Sequence, residues 1–424
     1  MSEKIINLLA ADMGYGHQRP AHALRHLSGG EVLIVNDYKG IEEWEKDYWI
    51  NTQSSYEKIS RLKKIPLFGH LVFKAMDAFQ KIRPMYPTRD LSRPTIQQLA
   101  FYSVIKKGLG KNLINQIEDS SKPLVTTFFV GAYMAEYHGY PGDIYCVVCD
   151  TDASRAWAPL NPQGSRIKYF LPNDKLKERF LMYGMREENL IVSGFPLPKE
   201  VIGEKKEIAA LSLKRRVFHL DPSGEYRKEY ASLLKSVLPV DEIKTSGPVT
   251  IAYAVGGAGA QKEIGGMLLK ELARDIKKGD IALNLVAGVR EEVRDYFISQ
   301  AEEHGLKVGD GVEIIYADNK DDYFVKFNKT IAKSDILWTK PSELSFFCAL
   351  GIPIIISEPI GSQEDFNREW ILSVGAGIDA LEVEHVEEWL PDLLASGRLA
   401  RAAVDAFLNA ENMGTYNIEK IIKS

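Results

Sequence analysis

Short apolar runs ending in glycine-bearing turns recur along this chain, each followed by a stretch with apolar positions three or four residues apart. That pattern predicts strands alternating with helices. Residues 5–10, apolar but for Asn7, read as a first parallel strand that enters Asp12-Met13-Gly14-Tyr15-Gly16-His17. A helix follows, with Pro20 in its first turn, and then a second strand over 31–35. Further strands are expected over 124–130, 144–149, 166–171 and 190–192. Between them fall a helix near 132–138 and one capped by Asn173 and running to Tyr183. After a charged helical stretch over 200–247 the alternation starts again, with strands over 250–255, 281–287, 313–315, 336–338 and 352–357. A glycine loop (256–261) and a helix to Lys277 follow the first of these. Helices are expected over 342–350, after the loop 361–367, and again from Pro391.

Residues 38–120 break this rhythm. They read as helices over 48–64, 67–82 and 95–117, separated by Pro66, Pro84, Pro87 and Pro94. The fold class is therefore α/β with two Rossmann-like halves, each opening strand, glycine loop, helix. The expected domains are 1–199, carrying a helical insert at about 38–120, then 200–395, then C-terminal helices over 396–424 that pack back on the first domain. Open parallel sheets bind ligands at the carboxyl ends of their strands. Two such domains facing each other would make a cleft there.

Composition narrows the function classes. The chain has 424 residues, 45% hydrophobic and 26% charged, with a net charge of −5; such a balance argues against wholesale nucleic-acid binding. Three cysteines imply no disulfide framework. The first residues lack a signal-peptide pattern and nothing reaches 18 consecutive apolar residues. The expectation is a cytoplasmic chain, with a peripheral place on the inner face of the membrane open to it. The insert supplies the reason: residues 53–115 hold twelve Lys and Arg against three acids, near +9 in an acidic protein. Phe68, Leu71, Val72, Phe73, Met76 and Phe79 interleave an apolar face with that charge. Such a segment is either a membrane-surface element or a solvated face over an ordinary core.

Candidate chemistry sits in the loops. Gly256, Gly257, Ala258 and Gly259 let backbone approach a phosphate and aim helix N–H groups at it, although glycine turns are also common without that role. No Gly-Lys-Ser/Thr follows, so this is not a P-loop. In the loop Gly14, Tyr15, Gly16, His17 the histidine falls at a helix N-terminus, which disfavours imidazolium and keeps the ring able to accept a proton; a capping histidine is the plain alternative. Asp150-Thr151-Asp152 resembles a metal-binding Asp-x-Asp but directly follows a strand, and no metal is implied. Asp150 could still orient a histidine or an acceptor hydroxyl. Cys146 and Cys149, three apart in a strand, face opposite ways, so a zinc or redox pair is not expected. Gln363, Glu364 and Asn367 offer paired donors and acceptors suited to sugar hydroxyls and ribose, or simply an acidic helix start.

Several motifs then fall into one order: ADMGYGHQRPAHAL, VVCDTD with Trp157 beyond it, YFLPNDKLKERFLMYGMREENLIVSGFPLP, VGGAGAQ, and TK with ALGIPIIISEPIGSQEDFN and GAG. In that order the sequence resembles GT-B glycosyltransferases related to monogalactosyldiacylglycerol synthases, processive diacylglycerol glucosyltransferases and the lipid II-forming N-acetylglucosaminyltransferase. The resemblance spans nearly the whole chain, the basic apolar insert included. It implies an inverting glycosyltransferase moving a sugar from a nucleotide sugar, a UDP-sugar, to a lipid or other hydroxyl acceptor. The nucleotide sugar is then a co-substrate, and no separate cofactor is implied. An epimerase or hydrolase on the same fold, and a binding protein without turnover, are the alternatives. The resemblance makes His17 and Asp150 catalytic and Gly14, Tyr15 and Gly16 the acceptor loop. It makes Gly256, Gly257, Ala258, Gly259, Lys340, Glu343, Gln363, Glu364 and Asn367 donor-binding, and residues 53–115 the contact with a lipid acceptor or anionic membrane. One departure stands out: Phe346 occupies the place of the family's ribose-gripping glutamate, and Lys340-Pro341-Ser342-Glu343 replaces its glycine loop.

Overall fold

A computed structural model of the protein describes residues 4–62, 82–117, 119–240, 246–256, 259–359 and 362–424, the side chains of 53–62 and 362 excepted. The helix expected over 67–82 lies outside these residues save Ile82, as do Phe68, Leu71, Val72, Phe73, Met76 and Phe79. So do Gly257, Ala258 and Gly361. The chain divides into two compact units. The first comprises Met1–Pro196, Gly361–Phe366 and Gly414–Ser424, and the second Leu197–Ile360 and Asn367–Met413.

The first unit is built on the strands β1 (Asn7–Ala10), β2 (Leu33–Ile34), β3 (Leu124–Thr126), β4 (Ile144–Val147), β5 (Lys168–Leu171) and β6 (Leu190–Val192). They pair in parallel in the order β2-β1-β3-β4-β5-β6. Because side chains alternate across a strand, each strand feeds two cores. Leu9, Leu124, Cys146 and Tyr169 face one with Phe129, Tyr133 and Trp157. Leu8, Val125, Tyr145 and Phe170 face the other with Leu24 and Ile418. Both faces are covered, as parallel sheets require. Ile418 comes from the last helix, Gly414–Lys423, whereas Arg398–Asn409 gives Leu399, Ala400, Ala403 and Val404 to the core of the second unit. The C-terminal helices are thus shared out between the units.

The second unit repeats the plan. Its strands are β7 (Val249–Ala254), β8 (Ile281–Gly288), β9 (Val312–Tyr316), β10 (Ile336–Thr339), β11 (Ile354–Ile356) and β12 (Gly377–Asp379). They are parallel in the order β12-β11-β10-β7-β8-β9. Trp338 lies at the centre, its ring 5.4 Å from that of Trp389 and its indole N–H donating to Ser357 Oγ.

Several local expectations are corrected. The run 124–130 is a strand only to Thr126. The Thr126 hydroxyl accepts from the Phe128 N–H and turns the chain, and Phe129 opens the helix Phe129–Tyr137. The helix expected near 132–138 thus starts earlier, because its first residues are apolar and buried and read as a continuation of the strand. The single helix expected over 95–117 is two, Ile96–Lys106 and Lys111–Asn115, parted by Gly108 and Gly110 at φ +116° and +76°. Pro20 stands in the second turn, since the helix starts at Tyr15. The segment expected helical over 342–350 is a buried 3₁₀ helix, Glu343–Leu350, with the Ser342 hydroxyl accepting from Leu344 N–H. The edge strand β12 was not anticipated.

Candidate functional site

Polar groups gather at the carboxyl end of each sheet. In the first unit the turn after β1 is fixed by reciprocal bonds: Asp12 N–H donates to Asn36 Oδ1 at 2.7 Å, and Asn36 Nδ2 donates back to the Asp12 carbonyl at 3.2 Å. Gly14 then precedes the helix Tyr15–Leu24 at φ +112°, a conformation L side chains rarely adopt. His17 follows in the first turn.

The neighbouring strand β3 determines the state of His17. Its Nδ1 lies 2.8 Å from the Thr127 carbonyl, while the Thr127 hydroxyl donates to the His17 carbonyl at 2.6 Å. A carbonyl only accepts, so Nδ1 carries the proton and Nε2 is the basic nitrogen. The ring packs at 4.9 Å from Phe128 and 6.1 Å from Trp157, between centroids. Desolvation there lowers the pKa from 6.5 to about 4, against the opposing pull of the Thr127 carbonyl. His17 is therefore a neutral imidazole of fixed tautomer through the neutral pH range, able to accept a proton at Nε2.

Asp150 follows β4, half-buried, at the same end of the sheet. Asp152 has a structural role: it is buried and receives Arg179 Nε and Nη2 at 2.9 and 2.8 Å, and both side chains are 1% exposed. Among the described residues no group of three or more His, Cys, Asp or Glu is arranged for a metal ion. Cys146 and Cys149 are buried free thiols, and burial pushes the Cys146 thiol up.

In the second unit, Gly256 and Lys340 come together. A Cβ added at Gly256 would sit 2.5 Å from Lys340 Cε and 3.4 Å from its Nζ, so the lysine lies directly against the glycine. Gly259 takes φ +71° and donates its N–H to the Gly256 carbonyl at 2.7 Å. Gln261, also left-handed at φ +66°, is pinned by Tyr253 Oη donating to its carbonyl at 2.6 Å and by its own Nε2 donating to the Glu358 carbonyl at 3.0 Å. Glu343 opens the 3₁₀ helix, half-buried, while Phe346 is buried with its ring 5.1 Å from Trp370. Gln363, Glu364 and Asn367 share the helix Ser362–Ser373; the first two are half-buried and Asn367 is buried. The first two group with the first unit and Asn367 with the second.

Sequence reasoning missed Thr127, whose contribution is a backbone carbonyl and so has no residue signature.

No family model matches the sequence. A processive diacylglycerol beta-glucosyltransferase of Bacillus subtilis is 22% identical over 295 residues, 68% of this chain and 65% of that protein. Another, of Staphylococcus saprophyticus, is 24% identical over 307 residues, 71% of this chain and 66% of that protein. The matched region thus spans just under two thirds of the length of these relatives. Among solved structures, Acinetobacter baumannii MurG aligns with a TM-score of 0.50 at 13% identity, over 99% of each chain. The shared feature is the fold, which is GT-B: two Rossmann-like α/β units, each on a six-stranded parallel sheet.

Proposed function

Starting from a GT-B chain with distant relatives among diacylglycerol glucosyltransferases, we propose an inverting glycosyltransferase that moves a sugar from a nucleotide sugar to a lipid hydroxyl. UDP is the proposed nucleotide. The observation that carries the chemistry is the locked, neutral His17 at the carboxyl end of the first sheet. Its Nε2 takes the acceptor proton as the hydroxyl oxygen attacks the anomeric carbon; the bond from that carbon to the diphosphate breaks, and the nucleoside diphosphate leaves. Gly256 and the start of the helix Lys262–Glu271 after the loop supply backbone N–H groups, and Lys340 supplies positive charge, where charge develops on the leaving group. Asp150 lies on the acceptor side, and Glu343 with Gln363, Glu364 and Asn367 serves the sugar and ribose hydroxyls.

A peripheral place on an anionic membrane surface belongs to the same reading. Within the basic insert Arg83, Arg89, Arg93, Lys106, Lys107 and Lys111 are all exposed. Beside them Tyr86, Ile96 and Leu99 are 78%, 76% and 53% exposed. Large apolar side chains left in water among cations suit an interfacial segment. No helix among the described residues is long and apolar enough to cross a membrane.

The test is release of UDP from a panel of UDP-sugars with diacylglycerol in anionic vesicles. Sugar-dependent release that needs the lipid, and falls about 100-fold or more in His17→Ala, is the expected result. Release without any acceptor would replace this reading with hydrolysis or epimerisation. No turnover, together with no nucleotide binding at millimolar concentration, would remove it altogether.

A further inference from the structure

The segment after β4 is irregular, yet its carbonyls are tied down one by one. Asn173 Nδ2 donates to the Thr151 carbonyl at 2.9 Å, and Tyr183 Oη to that of Ala153 at 2.7 Å. Tyr133 Oη donates to the Ala156 carbonyl at 2.7 Å and Tyr169 Oη to that of Trp157 at 2.8 Å. Gln98 Nε2 and Arg155 Nη1 share the Ala158 carbonyl, and Arg155 Nη2 takes that of Pro159 at 3.1 Å. The Leu160 N–H donates to Tyr102 Oη at 3.3 Å. A buried loop must satisfy its backbone groups, and here separate side chains do so at almost every residue. What the loop presents is Trp157. It is 3% exposed, with its ring 6.1 Å from that of His17 and 5.0 Å from that of Phe129. The brace also has an outer end. Buried Gln98 and half-buried Tyr102 belong to the helix Ile96–Lys106, which leaves Ile96 and Leu99 exposed. One helix thus joins the exposed apolar surface of the basic segment to the wall of the His17 site.

We propose that Trp157 is a positioning residue for His17, and that Gln98 and Tyr102 on the helix Ile96–Lys106 hold it there through the braced loop. The inference rests on the reading of His17 as the base and adds what keeps its ring dry. Phe128, the other ring on His17, comes from the turn next to Thr127 and is placed by its neighbours in the chain. Trp157 is placed by side chains from other elements. Burial and the Thr127 carbonyl are what act on the imidazole. The charged groups on the surrounding elements are Asp12 and Arg19 beside it in the chain, and Asp150, Asp152 and Arg155 on the loop. Asp152 is engaged by Arg179, and Arg155 by carbonyls. Replacing Trp157 removes none of these five, so a change in His17 reports water rather than charge.

The test follows the C2 proton of His17 by NMR in the full chain from about pH 7.5 to about pH 4.5, with His17→Gln to identify the signal. The wild-type ring should stay mostly neutral over that range, as its value of about 4 requires. Trp157→Ala should bring the midpoint at least about half of the way back to 6.5, whereas Trp157→Phe, which keeps an apolar ring, should hold it near the wild-type value. Gln98→Leu removes a donor to the loop, leaves Trp157 itself, and should raise the midpoint too. Tyr140→Phe is the control: its hydroxyl bonds Asn7 Nδ2 and the Lys122 carbonyl at the other end of the sheet, and its loss should leave His17 unmoved. A wild-type midpoint near 6.5, or an unmoved midpoint in folded Trp157→Ala, overturns the inference. Should Trp157→Ala fail to fold, Gln98→Leu decides, and an unmoved midpoint there overturns the role of the helix. An equal rise in Tyr140→Phe overturns the inference as well, because general loosening would then suffice. No readout here needs turnover, so a chain that transfers no sugar would sink the proposed reaction without altering these outcomes.

Discussion

A histidine held neutral by its surroundings should leave a mark on stability as well as on activity. His17 titrates at about 4 in the folded protein, against an ordinary value of 6.5. Between those values the unfolded chain binds a proton that the folded chain does not, so stability is full above 6.5 and falls as pH drops toward 4. Taking the two values at face value, linkage gives a loss of roughly 1 kcal/mol at pH 5.5 and roughly 2 kcal/mol at pH 4.5, relative to pH 7. Other groups titrate too, so the useful quantity is a difference. Urea unfolding of wild type and of His17→Gln at the three pH values isolates it, because the remaining titrations cancel. The gap between wild type and variant should shift against wild type by those amounts as the pH falls. A gap that stays flat from pH 7 to 4.5 would show that His17 is not held as a neutral ring, and the argument for its role as a base would go with it. The same low value places the acid limb of a His17-dependent rate near pH 4 rather than 6.5.

Two further outcomes separate structural from functional groups. Arg179→Leu leaves Asp152 as a buried, uncompensated carboxylate and should cost about 3–5 kcal/mol in urea unfolding, whereas Asp150→Asn, at a half-buried position, should change stability by less than about 1 kcal/mol and show its effect in turnover. Binding to anionic vesicles, followed by co-sedimentation, should weaken steeply as salt rises from 50 to 300 mM, over which screening roughly halves the Debye length; salt-insensitive or absent binding would return the basic insert to an ordinary solvated face.

What was legible in the sequence follows from where each signal is stored. Buried parallel strands store it locally, as mainly apolar runs, and β7, β8 and β10 fall close to their expected places for that reason. The helix Phe129–Tyr137 was expected near 132–138, but its first residues continue the apolar run of β3, and that boundary could not be read until the Thr126 turn was seen. The edge strand Gly377–Asp379 has only three residues and no apolar run to show. The site divides the same way. Glycines with positive φ and a histidine after a strand are local features, and Gly14 and His17 were readable. The partner that fixes the tautomer of His17 is a carbonyl 110 residues away, and every residue has a carbonyl.

The departure at Phe346 shows how much can follow from a single position. Its side chain is 3% exposed and packs on Trp370, so it belongs to the core and offers no hydroxyl-binding group. Placing a glutamate there, as Phe346→Glu, would remove a buried ring and bury a carboxylate without a partner, a loss on the order of 4 kcal/mol or more. On the proposed donor-binding reading, hydroxyl recognition on this loop is assigned to Glu343, three residues earlier and half-buried at the start of the 3₁₀ helix. Glu343→Gln keeps the shape and removes the charge. It should weaken UDP by about tenfold, as for a charged hydrogen bond to ribose, with the melting temperature unchanged. Phe346→Glu should lower the melting temperature and gain no affinity. If Phe346→Glu instead tightens UDP and Glu343→Gln leaves it unaltered, the ribose lies against the helix at position 346, and the 340–343 turn has no part in holding it.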